Sequence, residues 1–154
     1  MRTNDSTDRA RAPEAPEFRC EGQGQGRWRP ADVRGAVRKA VNARRRALGR
    51  PYDEEALSDA LLVATELTSN ALLHGGGVAG FDVGMDGRAV RVSVSDRSDR
   101  MPVAVGPLDE QGRRRVGGRG WPIVCRLARD VEVADLPSGG KRITAVVPVF
   151  RPAF

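Results

Sequence analysis

Hydrophobic residues recur with helical spacing from about residue 32 onward. Val33, Val37 and Val41 fall on one helical face, and Gly49 with Pro51 ends the pattern. The spacing therefore predicts a first helix over about residues 32–48, with one apolar side available for packing.

A second helical pattern follows almost at once. Asp53 is a favourable N-cap residue, and Glu54 and Glu55 place carboxylates in the first turn, where the helix dipole stabilises negative charge. Apolar positions continue to about His74, and the run 75–77 of three glycines ends the helix. This segment predicts the longest helix of the chain.

The period then changes from helical to alternating. The Asp86-Gly87 pair is a strong hairpin signal, and on its far side valines alternate with polar residues up to Asp96. The predicted elements are strands at 78–85 and 90–96, a short helix from Pro122 to about 128, and strands at 131–136 and 142–149. We expect a two-layer α/β sandwich with a mixed, mostly antiparallel sheet and helices on one face.

Two segments lack any such pattern. Residues 1–30 are rich in proline, glycine, glutamine and arginine, which predicts a disordered or loosely held basic arm. Residues 97–119 form a long, irregular, glycine-containing stretch, and loops of this length are usually functional lids or disordered. The predicted domain therefore spans 31–154 and carries a lid at about 97–119.

Composition narrows the class of protein. No apolar stretch has the length of a signal peptide or a membrane span, and Cys20 and Cys125 form no metal-binding or disulfide pattern, so we expect a cytoplasmic protein without a membrane partner. The net charge of +6 by itself suggests a nucleic-acid binding partner. All but two of the 26 basic residues are arginine, a bias typical of GC-rich coding, and aromatic residues make up only 5%, so a nucleic-acid partner is disfavoured.

Three places carry candidate chemistry. Glu66, Asn70 and His74 recur every fourth residue on the second helix, so that a carboxylate and a carboxamide project from one side, although a solvated face has the same pattern. Asp96 ends an alternating strand, where an acid accepts hydrogen bonds or simply begins a turn. The glycines at 117, 118 and 120 lead into a helix, where backbone N–H groups and the helix dipole favour a phosphate.

Their order along the chain resembles the nucleotide site of the Bergerat-fold (GHKL) ATPases, the group that includes gyrase and the histidine kinases. The segment Glu66-Leu-Thr-Ser-Asn70-Ala-Leu-Leu-His74 is similar to the N box of that group. Asp96-Arg-Ser-Asp-Arg-Met-Pro102 is similar to its first glycine box, and Gly118-Arg-Gly120 to its second. Within that group, the chain most resembles the anti-sigma regulatory factor serine kinases and the stand-alone ATP-binding proteins of actinobacteria. The two features that it shares with them are its small size and the histidine that ends the N box.

This resemblance implies roles for individual residues. Glu66 would be the catalytic general base, and Asn70 would hold Mg²⁺ against the triphosphate of ATP. Asp96 would accept a hydrogen bond from the adenine amino group. Further ATP-binding positions would be Pro102, Gly118, Arg119 and Gly120. Lys141 stands where many of these ATPases place a threonine that supports an adenine-binding water, so no residue of that segment is assigned.

The implied function is that of an ATP-dependent protein serine/threonine kinase of the anti-sigma factor type. It would transfer the γ-phosphate of ATP to a serine of an antagonist protein, with a sigma factor as the second partner, and a homodimer is possible by the same resemblance. The alternative is an ATP-binding regulatory module with little or no catalysis, in which the nucleotide selects a partner-binding conformation.

Overall fold

The computed structural model describes residues 18–21, 28–101 and 120–152. Its elements are β1 (Phe18–Glu21), α1 (Pro30–Leu48), α2 (Glu54–His74), β2 (Val78–Asp86), β3 (Ala89–Asp96), α3 (Gly120–Leu127), β4 (Asp130–Asp135) and β5 (Lys141–Pro148). No helix within these ranges is long and apolar enough to cross a membrane.

Local signals fix both ends of the two long helices. Pro30 occupies the first position of α1, and Gly49 closes that helix in the left-handed conformation, with φ of 66°. The Asp53 carboxylate accepts a hydrogen bond from the Ala56 backbone N–H at 3.2 Å and caps α2. Both helices therefore begin and end within two residues of the positions that the sequence predicts.

The five described strands form one sheet in the order β1-β2-β3-β5-β4, and every described pair is antiparallel. The α/β architecture is thus confirmed, but the described pairing is more regular than the mixed sheet that the sequence analysis expected. β1 is a further difference, because it lies inside the segment expected to be a loosely held arm and pairs with β2 along its length.

The core lies between the sheet and the helices. Valines of α1 and α2 are buried against alternating residues of the central strands, and this core includes Val33, Val37, Val63, Leu67, Val83, Val92 and Ile143. The alternation of β3 places Asp96 on the same side as Val92 and Val94, toward the helices. The last residue of this strand is therefore an acid at the edge of an apolar core.

Candidate functional site

α2 brings the N-box residues to the centre of the domain. Glu66 and Asn70 are both half-buried and lie one turn apart, so the predicted shared side of the helix is retained. His74, in contrast, is exposed in the last turn, where its position suits the helix dipole.

The Glu66 carboxylate reaches the beginning of α3. A methyl group in place of a Gly120 hydrogen would overlap the Glu66 Oε2 atom, so only glycine allows this approach without displacing the carboxylate. The structure therefore brings together Glu66 and Gly120, two of the predicted site residues from distant parts of the sequence. Pro102, Gly118, Arg119 and the predicted lid beyond residue 101 lie outside the described residues.

Asp96 lies at the other end of this part of α2. Gly75 ends the helix, and its carbonyl accepts a hydrogen bond from the Arg97 backbone N–H at 3.0 Å. A Cβ atom on Gly75 would lie 2.6 Å from the Asp96 carboxyl carbon, too close for any side chain. The glycine run is thus a tight contact between α2 and the end of β3, in addition to the helix stop that the sequence indicates.

The Asp96 carboxylate is buried and ion-paired. Lys141 Nζ lies 2.9 Å from Oδ2 and 3.0 Å from Oδ1, and the side chains are 5% and 3% exposed for Lys141 and Asp96 respectively. The Ser98 backbone N–H donates to Oδ1 at 2.9 Å, and Lys141 Nζ also donates to the Ser98 carbonyl at 3.3 Å. Two unit charges are thus satisfied within a nearly closed site.

Lys141 is the site residue that the sequence analysis did not assign. The antiparallel register of β3 and β5 places it directly opposite Asp96, although 45 positions separate them in the chain. Gly140 permits the close approach, because it has φ of 84° and a Cβ there would overlap the Asp96 carbonyl oxygen. One signal was available, since Lys141 is one of two lysines in an arginine-rich chain.

A hydrogen bond also fixes the start of the predicted lid. The Asp99 carboxylate accepts from the Gly140 backbone N–H at 2.9 Å, and the Ser98 hydroxyl accepts from the Arg100 N–H at 3.1 Å. Residues 96–100 therefore follow a defined path beside β5, so that this described part of the segment similar to a first glycine box is held by side-chain and backbone contacts instead of glycines.

Metal binding by this site would depend on the nucleotide. Among the described residues, no three His, Cys, Asp or Glu side chains are grouped to hold an ion. Asn70, one turn from Glu66 on α2, carries an amide oxygen that can bind a cation, and Mg²⁺ commonly takes one or two protein ligands and completes its shell with water and phosphate oxygens. The donor set therefore fits Mg²⁺ held mainly by a triphosphate.

The comparison with protein families decides the class of this domain. The model of the histidine kinase-like ATPase domain matches residues 27–147, which include every described element except β1 and the last residue of β5. The chain belongs to the histidine kinase-like ATPase domain family. The search of curated proteins finds no match. As a member of this family, the chain carries an ATP-binding domain with a regulatory character.

Within a histidine kinase-like ATPase domain, the distance along α2 from Glu66 to the glycine that ends the helix is informative. Nine residues separate Glu66 from Gly75, which corresponds to about 14 Å along a helix axis. This length is comparable with the reach of an extended nucleoside triphosphate. Asp96, which contacts Gly75, and Glu66 are thus separated by a length of this order along a single helix.

Proposed function

We propose that this protein is a Mg-ATP-dependent serine kinase of the anti-sigma factor type, which acts in the cytoplasm. The observation that carries the proposal is the placement of two acids along α2. Asp96 lies at the helix end beside Gly75, and Glu66, which lies against Gly120, precedes Gly75 by a helical rise of about 14 Å. A nucleotide bound along this line has its base near one carboxylate and its γ-phosphate near the other.

At the base end, Asp96 accepts a hydrogen bond from the adenine 6-amino group. At the phosphate end, Asn70 contributes the protein ligand to Mg²⁺, which when bound neutralises charge on the phosphate oxygens. The backbone at the start of α3 adds N–H groups that favour an anion, because the first N–H groups of a helix have no partner within it.

The chemical step requires few side chains, because phosphoryl transfer depends mainly on positioning and charge neutralisation. The hydroxyl oxygen of the antagonist's serine attacks the γ-phosphorus, and the bond from that phosphorus to the β–γ bridging oxygen breaks. ADP leaves with the bridging oxygen, and the serine proton goes to Glu66. A half-buried carboxylate one turn from the Mg²⁺ ligand suits this role as general base.

The partners in this proposal are a sigma factor and a small antagonist protein that carries the phosphorylated serine, with a homodimer as the assembly. Three leucines of α2, Leu62, Leu72 and Leu73, are exposed, and Leu73 is the most exposed of them. Exposed leucines near the end of the nucleotide-binding helix supply apolar contact area for a protein partner.

The test measures γ-phosphate transfer from labelled ATP to candidate antagonist proteins and, separately, Mg-ATP binding by calorimetry. We expect Glu66→Gln to lower transfer by a factor of about 100 or more while ATP binding is retained. The matched control is Glu55→Gln, which changes an exposed carboxylate in the first turn of the same helix. Asn70→Ala should weaken Mg-ATP binding.

Three outcomes separate the hypotheses. Unchanged transfer by Glu66→Gln removes the general-base role. Mg-ATP binding without transfer to any candidate protein favours the alternative, a regulatory module in which ATP acts only as a ligand. Absence of ATP binding by both the wild type and Asn70→Ala overturns the assignment of the nucleotide site itself.

A further inference from the structure

Lys141 places a buried positive charge inside the proposed base-binding end of the site. Its ammonium group contacts both oxygens of Asp96, at 2.9 and 3.0 Å, and the Ser98 carbonyl at 3.3 Å. A buried ion pair is seldom more stable than an apolar pair of similar volume, because desolvation opposes the attraction. The stability of the fold therefore does not explain the lysine at this position, and its ammonium group is available for a role in ligand binding.

The carboxylate keeps room for one more hydrogen bond. An ionised carboxylate has about four lone-pair sites. Among the residues that the structure describes, the Ser98 N–H and the Lys141 ammonium occupy three of the sites on Asp96. One remaining site suits a ligand with a single donor, such as the 6-amino group of adenine. Guanine offers two adjacent donors and would need both oxygens, which Lys141 already contacts.

Adenine also has an acceptor, N1, directly beside its 6-amino donor. A carboxylate in contact with an ammonium group presents the complementary pattern, an acceptor beside a donor. We propose that Lys141 is a specificity-determining residue that donates a hydrogen bond to adenine N1 while Asp96 accepts from the 6-amino group. This inference rests on the ATP site proposed above and adds to it the group that recognises the second position of the base.

The ammonium group can make this bond at small cost. Its longest contact is the one to the Ser98 carbonyl, at 3.3 Å, and the hydrogen of this contact is the one that N1 would share. The three ammonium hydrogens keep fixed angles to one another, so the other two stay on Asp96 when N1 approaches from the side of the Ser98 carbonyl. The lysine stem stays in place because Gly140 holds the strand close to Asp96.

The test compares ATP with 1-deaza-ATP, in which N1 is replaced by C–H, and uses 7-deaza-ATP as the matched control, since its missing nitrogen lies on the other ring. We expect wild-type protein to bind 1-deaza-ATP about 10-fold or more weakly than ATP, the usual effect of losing a hydrogen bond to a charged group. Binding of 7-deaza-ATP should stay within about 3-fold of ATP on the same scale. This comparison requires no variant.

Two variants then assign the effect to the lysine. Lys141→Met removes the ammonium group and keeps an unbranched chain, so ATP and 1-deaza-ATP should bind with equal affinity. Lys141→Gln keeps an N–H donor within the site and replaces the Met variant if that variant does not fold. We expect this variant, too, to discriminate less strongly than wild type against 1-deaza-ATP. Lys39→Met, which changes an exposed lysine of α1, should discriminate as the wild type does.

Several results would overturn the inference. They are equal wild-type binding of ATP and 1-deaza-ATP, full discrimination by Lys141→Met, tighter ATP binding by that variant, or a wild-type preference for GTP or ITP. In the first three cases the protein still binds ATP, and only the role of Lys141 fails, whereas a preference for GTP or ITP also contradicts the proposed contact of Asp96 with the adenine 6-amino group. A wild type that binds no purine nucleotide contradicts the proposed function as well, so that the two failures are distinguishable.

Discussion

Two ion pairs lie near the two ends of α2, and they have the same N···O distance of 2.9 Å. In the first, Asp96 and Lys141 are nearly inaccessible to solvent. In the second, Arg151 is 82% exposed while Asp53 is 22% exposed. The electrostatic interaction therefore differs in strength between the two pairs although the distances are equal. Water and salt screen the exposed pair, whereas the buried pair is screened much less.

The two carboxylates also have different tasks. Asp53 caps α2, and the hydrogen bond from the Arg151 side chain, followed by the one from the Ala56 backbone N–H, holds the pKa of its carboxyl below the ordinary range. Asp96 lies past the other end of α2, and both of its carboxylate oxygens contact the buried Lys141 ammonium group. Both ion pairs are therefore long-range in sequence, but Asp53 caps the helix at a partly exposed position, whereas Asp96 and Lys141 join β3 to β5 inside the domain.

The largest expected effect comes from breaking the buried pair. Lys141→Met leaves the Asp96 carboxylate without its counter-charge, and such a change typically costs about 3–5 kcal/mol in the free energy of unfolding. Urea denaturation of the variant against wild type measures the cost, with Lys39→Met as a control that should stay within about 0.5 kcal/mol of wild type. A loss below about 1 kcal/mol for Lys141→Met would show that water reaches the pair.

A smaller effect is expected from the glycine that brings the buried pair together. Gly140→Ala forces a Cβ onto the Asp96 carbonyl oxygen and also strains a residue with φ of 84°. Strain of about 1–2 kcal/mol and overpacking of about 1–3 kcal/mol predict a loss of roughly 2–5 kcal/mol. Gly139→Ala is the matched control, since its φ is 92° but no atom lies within 4 Å. Denaturation measures the free energy of unfolding of both variants. Equal losses would show that the overlap of a Cβ at position 140 with the Asp96 carbonyl oxygen has no effect.

The smallest effect is expected from the exposed pair. Arg151→Met removes the main cause of the lowered pKa of Asp53, so the variant should be slightly less stable at neutral pH. A lowered pKa stabilises the folded state above the ordinary value of about 3.9, and this contribution is lost as the pH falls through the folded-state value. Thermal denaturation should therefore show a small gap at pH 7 that narrows below about pH 4. A gap that is constant with pH would exclude the ion pair as its cause.

Local chemistry made most of the fold predictable. The Asp53 cap, the glycine at position 49 and the Asp86-Gly87 turn each act within a few residues, and the helices and strands begin and end within two residues of the predicted positions. Glu66, Asn70 and Asp96 could be placed on their elements from sequence, because helical or alternating spacing identifies each of these positions; their roles in ATP binding stay a prediction. In each of these features, the residues that determine the structure lie close together in the sequence.

The remainder depends on pairings between distant segments. The contact of Lys141 with Asp96 follows from the register of β3 against β5, and the contact of Glu66 with Gly120 follows from the packing of α3 on α2. Neither is encoded in a short pattern. β1 was missed for a similar reason, since four residues in a polar, glycine-rich region become a strand only where β2 offers a free edge.

Gly75 ties the end of α2 to the end of β3 through one backbone hydrogen bond and a contact that admits no side chain. The distance along α2 from Asp96 to Glu66 and Asn70 is consequently set by the rise per residue of the helix. Changes of sequence in the loops can alter what enters the site, but they leave this length unchanged. A substitution that lengthens the site would have to alter the helix itself.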